Sequence, residues 1–221
     1  MSRSFRREKL QPCSKSMHSR RPNSVKVPIA LEEMGLEYQL IAVDLRKGEQ
    51  KTDAFKGMNP VAKVPVLVDR SVFGSADVVL SESAAILVYL AEKTGQLLPK
   101  DDVNRSKVFE QLFFHASALS PAFLQAFYVA IQSAPDPDAR ARALSEVEKV
   151  LRLVDDWLGH RRLGAGDAYS IADIAHFGWL WRHQAIDASL DKFQSVARWC
   201  AEIFERPAVA TAIAKTVALA K

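Results

Sequence analysis

The residues best placed to do chemistry lie in two short runs, Lys63-Val64-Pro65-Val66 and Ser81-Glu82-Ser83. A proline entering an apolar β-run lacks the N–H of a ladder residue, so it belongs where the chain enters a strand, and a cis X-Pro bond can be built in there. Glu82 and Ser83 stand just before Ala-Ala-Ile-Leu-Val-Tyr-Leu, a helical pattern closed by Gly95. A carboxylate, a hydroxyl and free backbone N–H groups thus meet at one helix start. The positive end of a helix favours anions, which makes this corner a seat for a ligand carboxylate.

The spacing around these runs predicts the elements that hold them. Ser24 to Gly35 reads as a helix with a proline near its first turn and a closing glycine. Tyr38–Val43 reads as a strand and Lys51–Gly57 as a short helix or turn. Val64–Asp69 and Val78–Ser81 read as a hairpin with Gly74 in its connection, and Ser83–Lys93 as a helix. Ahead of them, residues 14–19 make a poor strand, since Met17 is their only large apolar residue. The order implies an α/β sandwich on a small mixed sheet. Beyond the linker at 96–104 the period turns helical, with candidate helices at 103–132, 138–160, 171–185, 191–204 and 207–219. The expected domains are a basic arm at 1–21, which includes that poorly matching first strand, an α/β domain at 22–95 and an all-helical domain at 105–221. Tyr169-Ser170-Ile-Ala-Asp173-Ile174 carries a capping box with a hydrophobic staple.

At 221 residues the chain can bury a sizeable core, and no window holds the uncharged apolar run expected of a membrane span. The net charge of +4 is unevenly spread. Residues 1–21 set seven cations against Glu8, a balance of +6 that leaves the rest at −2. A mildly acidic body is not a nucleic-acid-binding surface. The arm has no secretory h-region and reads as a disordered tail or start-site artefact rather than an address. Cys13 and Cys200 form no Cys-x-x-Cys, zinc or disulfide pattern. That fits a reducing, cytoplasmic setting and leaves the chain without a dithiol of its own.

In order along the chain, Pro22-Asn-Ser24, Ile29–Leu36, Lys47–Gln50, Asn59-Pro60, Lys63–Val66, Ser81–Ser83, Tyr169–Asp173 and Arg206–Val209 resemble the soluble glutathione transferases. The likeness is to the bacterial branch called the Nu class. It implies a thioredoxin-like N-terminal domain, an all-helical C-terminal domain, a homodimer and glutathione as co-substrate. It further implies that Val64, before a cis Pro65, pairs with the cysteinyl backbone of glutathione by strand addition. Glu82 and Ser83 would hold the γ-glutamyl amine and carboxylate, with Gln50 and Lys63 toward the glycine end. Asn23 would face the sulfur, with Arg21 standing where relatives carry a hydroxyl. The activity implied is transfer or disulfide-bond reduction by the glutathione thiolate, as in detoxification. The alternative is a catalytically weakened binding or scaffold protein on the same fold.

Other side chains carry weaker signals. Phe113, Phe114, Phe123, Phe127 and Tyr128 form an aromatic-rich helix, read either as core and interface or, with Phe123 and Phe127 foremost, as pocket lining for a hydrophobic co-substrate. Asp173, His176 and Asp187 lack metal-ligand spacing, so no metal is expected. The four tryptophans read as core or domain-contact residues, and Cys200 as an inert buried thiol.

Overall fold

The computed structural model describes residues 14–19, 22–70, 77–134 and 136–219. Cys13, Arg21, Gly74 and Pro135 lie outside the described residues, as does most of the basic arm.

A four-stranded mixed sheet runs in the order β2-β1-β3-β4, with β1 Ser14–His18, β2 Tyr38–Ala42, β3 Val66–Asp69 and β4 Val78–Ser81. The poorest strand pattern thus forms a central strand, parallel to β2 and antiparallel to β3. A ladder on both flanks supplies its hydrogen bonds whatever its side chains are. Met17, opposite Val66, joins the small cluster of Phe55, Val66 and Val68, while Ser16, opposite Leu67, takes the other face. Residues 14–18 are thus the first strand of the sheet, where the weak pattern at 14–19 placed it. Buried Asp69 closes the far end of β3, accepting from Ser14 Oγ at 3.5 Å and Tyr89 Oη at 2.9 Å, and pairing with Lys93.

Helix α1, Pro22–Glu33, begins two residues ahead of Ser24, with Pro22 at the first helical position where its missing N–H costs nothing. The short α2, Asp53–Lys56, starts from a Thr52 cap. β3 starts at Val66 and not Val64, because the chain turns through a cis bond between Val64 and Pro65 before it joins the ladder. Helix α3, Ser83–Thr94, ends at Gly95, whose φ of 69° is a left-handed cap that favours glycine.

The all-helical half comprises α4 Asp102–Phe114, α5 Ser120–Ala130, α6 Pro137–His160, α7 Ile171–Leu180, α8 Gln194–Phe204 and α9 Pro207–Ala218. The single helix expected over 103–132 is two, joined by a π-helical turn at His115–Leu119. Pro121 has no N–H for the carbonyl four residues back, and the Ser120 N–H bonds to His115 O, five back. By length and composition the run Asp102–Ala130 is apolar enough to span a membrane, contrary to expectation. Its apolar side chains have a different use, since Leu112, Leu119, Phe123, Ala126 and Val129 are core residues. The helix expected over 171–185 stops at Leu180 and gives way to a 3-10 turn at His183–Ile186.

Helix α1 packs on α3, α7 and α9, so one helix joins the two halves. Arg206 locks the joint, reaching Glu33 at 2.6 and 2.8 Å and lying 3.7 Å over the Tyr169 ring. The capping box at Ser170 and Asp173 is present. This joint brings the start of α1 against the π-turn between α4 and α5.

Candidate functional site

The last rung of the β3–β4 ladder pairs Val66 with Ser81. The cis Val64–Pro65 step therefore stands at the same end of the sheet as Glu82 and Ser83. The loop entering that step is knotted by buried Asn59. Its Nδ2 donates to Lys63 O at 2.7 Å, and its Oδ1 accepts from Val61 N at 3.1 Å. The backbone at Val64 is thus aimed by a side chain five residues upstream, while the Lys63 side chain is exposed.

Glu82 caps α3 with φ 68° and ψ 112°, conformational territory that non-glycine residues avoid at a cost of roughly 1–3 kcal/mol. Its side chain makes no capping bond to α3, and it is exposed. The first turn of α3 contains no acidic residue and, among the described residues, no side-chain cap. Its N–H groups are therefore directed outward with the positive end of the helix. Gln50 sits in a 3-10 turn at Glu49–Lys51, and its Oε1 is buried without a protein partner among the described residues.

Asn23 opens α1 beside this corner. Its Oδ1 accepts from Lys26 Nζ at 2.6 Å, and the same ammonium stands 3.5 Å from Ser83 Oγ. Lys26 Nζ is also 2.6 Å from His115 Nε2, on the π-turn of the other half. His115 and His176 have ring centroids 5.4 Å apart, and His176 Nε2 lies 3.2 Å from Gln111 Oε1. Burial draws Lys26 down to about 7, against the opposing charge of Glu82. Burial, then the Lys26 charge, holds His115 well below the ordinary histidine range and His176 at about 3. Both imidazoles are neutral at physiological pH.

The structure thus gathers Asn23, Val64, Pro65, Glu82 and Ser83 at one end of the sheet. Arg21 lies outside the described residues. The two phenylalanines separate: Phe123 is 1% exposed against Trp179, a core side chain, while Phe127 is half-buried beside Tyr128. Trp199 is also core, and burial pushes the Cys200 thiol up to about 12, which fits an inert residue. Among the described residues no three metal-ligating side chains converge. Asp173 serves the α7 cap, His176 meets Gln111 and Asp187 pairs with Arg140. Sequence reasoning gave Lys26, His115 and Asn59 no role here, although Asn59 stands in one of the matching motifs. Lys26 had one available signal: it falls one turn from Asn23, in a helix whose neighbours are nearly all apolar.

A thioredoxin-like sheet followed by a helical domain, with a cis-proline facing a helix start, defines a class of thiol-handling folds. The family model for the glutathione S-transferase N-terminal domain matches residues 21–93, and that for the C-terminal domain matches residues 114–207. The chain belongs to the glutathione S-transferase family. It is 36% identical over 199 residues to the disulfide-bond oxidoreductase YfcG of Escherichia coli, covering 88% of this chain and 91% of that one. It is 33% identical over 205 residues to YghU, a disulfide-bond oxidoreductase of the same organism, covering 85% and 69%. A Pseudomonas fluorescens family member, solved with two glutathione molecules bound, superposes with a TM-score of 0.86 at 31% identity, covering 94% and 95%. A Pseudomonas putida glutathione transferase, solved with one glutathione disulfide per subunit, gives 0.84 at 31%, covering 95% and 93%.

Proposed function

We propose that the protein binds reduced glutathione where β3, α1 and α3 begin, and uses its thiolate for transfer or disulfide-bond reduction. The observation that carries this reading is the cis Val64–Pro65 step beside an exposed, uncapped α3 start. Glu82 takes the γ-glutamyl ammonium, and Ser83 with the first N–H groups of α3 takes its carboxylate. Val64 offers its backbone N–H and C=O to the cysteinyl part as an added strand. Gln50 and Lys63 meet the glycine end, where the buried Gln50 Oε1 has a hydrogen bond to gain.

That arrangement leaves the sulfur at the start of α1, near Asn23, with Arg21 as a second, cationic candidate. A free thiol ionises at about 8.5. A helix N-terminus and one or two donors lower that by about 1–2 units. In disulfide reduction the thiolate attacks a substrate sulfur, an S–S bond to glutathione forms, and the other substrate sulfur leaves as a thiolate. A second glutathione thiolate then attacks the glutathione sulfur of this mixed disulfide, its S–S bond breaks, the remaining substrate sulfur leaves as a thiolate and glutathione disulfide forms, so two glutathione molecules supply the two electrons. Solved relatives that hold two glutathiones or their disulfide support this route. Within the family we assign the chain to the bacterial Nu branch on its ordered motifs. We further assign it a homodimeric, cytoplasmic setting, in keeping with its cysteine usage and with exposed apolar residues such as Phe113 on α4.

Calorimetry with reduced glutathione and a glutathione-dependent assay on a small disulfide test this together. Binding with turnover is expected. Binding without turnover favours the scaffold alternative, and no binding removes the reading.

A further inference from the structure

Lys26 is 1% exposed, and a buried lysine is tolerated only when its donors are used. Its hydrogen-bond partners among the described residues come from three places: Asn23 Oδ1 on α1, Ser83 Oγ on α3 and His115 Nε2 on the π-turn. The room for it is built in. A Cβ on Gly178 of α7 would stand 2.5 Å from Lys26 Cε and 2.6 Å from Cγ, so any larger residue there displaces the side chain. An ammonium only donates, so the atom Asn23 turns toward it is the carbonyl oxygen, and the amide NH2 faces away.

We propose that Lys26 is a positioning residue for the sulfur end of the site: it pins Asn23 through Oδ1, so that the Nδ2 donor is presented to the ligand sulfur. This rests on the reading that glutathione occupies the site. The same ammonium holds Ser83, so the sulfur end and the carboxylate end share one buried support. The titratable groups around it are Glu82 from the N-terminal half and His115 and His176 from the C-terminal half. Both histidines are neutral, so among these groups only Lys26 carries positive charge toward the sulfur end. Burial sets its own pKa near 7, where Glu82 favours the charged form.

The experiment titrates the thiol of bound glutathione by its thiolate ultraviolet absorbance, in wild type, Lys26→Met, Asn23→Ala and the double variant. Methionine keeps the unbranched length and removes donors and charge. The bound-thiol pKa is expected to rise by about one unit in Lys26→Met, with kcat/KM near neutral pH falling by about tenfold. The double variant should be no worse than Asn23→Ala alone. An unshifted thiol pKa and pH profile in Lys26→Met, or losses that simply add, overturns the proposal. Failure of the wild type to bind glutathione is a different result, which removes the underlying reading. If Lys26→Met does not fold, the wild type answers by NMR. Saturating glutathione must then shift a resolved pair of Asn23 side-chain amide signals, and an unmoved pair overturns the proposal.

Discussion

Two buried polar clusters lie close to the joint between the halves, and they are built to different rules. Around Asp173, both carboxylate oxygens are in use. The carboxylate accepts from Gly164 N at 2.7 Å, Ser170 N at 2.9 Å, Ser170 Oγ at 3.2 Å and Trp199 Nε1 at 2.9 Å. Around Lys26 the accounting is open. Asn23 and Ser83 are half-exposed, and His115 Nδ1, His176 Nδ1 and Gln111 Nε2 are buried without partners among the described residues. A fully satisfied cluster specifies a fold; one that ends on half-exposed groups is arranged for something that arrives from outside.

The comparison breaks first on stability. Asp173→Ala strands four donors in the core and should cost about 3–5 kcal/mol in denaturant unfolding, enough to threaten folding. Any folded fraction should bind glutathione normally. A loss of affinity without a loss of stability would make Asp173 part of the site and end the contrast.

Glu82→Gly should show the opposite pattern. Removing the carboxylate is expected to weaken glutathione binding about 30-fold, since an ammonium loses a charged partner. The same change frees the backbone at φ 68° and should raise stability by about 1 kcal/mol. Calorimetry and thermal unfolding on one variant read both signs. An unchanged dissociation constant removes Glu82 from the site.

Lys26 and His176 give the clusters distinct pH signatures. The folded-state pKa of Lys26 is lowered from 10.5 to about 7, so between those values the unfolded chain binds more protons than the folded one. Stability should therefore rise with pH across that window by up to a few kcal/mol, and the rise should vanish in Lys26→Met. For His176, lowered from 6.5 to about 3, the contribution is full above 6.5 and is lost as pH falls toward 3. Urea unfolding from pH 7 to 10.5 separates the two groups. A wild-type slope retained by Lys26→Met would deny the burial of its charge.

The asymmetry between the clusters also explains what could be read from the chain. Element order and the Ser170–Asp173 cap were legible, because caps, prolines and apolar periods act over a few residues. The cis-proline step and Glu82-Ser83 were legible as well, since each announces itself by a local pattern. Central β1 was legible only as a weak strand: its stability comes from ladders on both flanks, and Ser14, Ser16 and Met17 carry little trace of that. Lys26–His115 is a pairing across 89 residues, created only when α1 docks on the π-turn, and neither residue marks the other in sequence. The π-turn itself was hidden, since Pro121 signals a disturbed helix without saying how the chain repairs it.

The smallest expected effect separates side chain from backbone within the site. Lys63 sends its side chain to solvent, where an ion pair with a glycine carboxylate is screened and entropically costly, so Lys63→Ala should weaken glutathione binding by only about threefold. That loss should fade further as salt is raised. Its carbonyl is another matter, because Asn59 Nδ2 holds it at 2.7 Å and so sets the backbone that leads into Val64. Asn59→Ala frees both the Lys63 carbonyl and the Val61 N–H, and it should lower affinity more than Lys63→Ala by an amount that salt does not change. A salt-dependent loss in Asn59→Ala, or a larger loss from Lys63→Ala than from Asn59→Ala, would assign recognition at this end to charge instead of to an aimed strand.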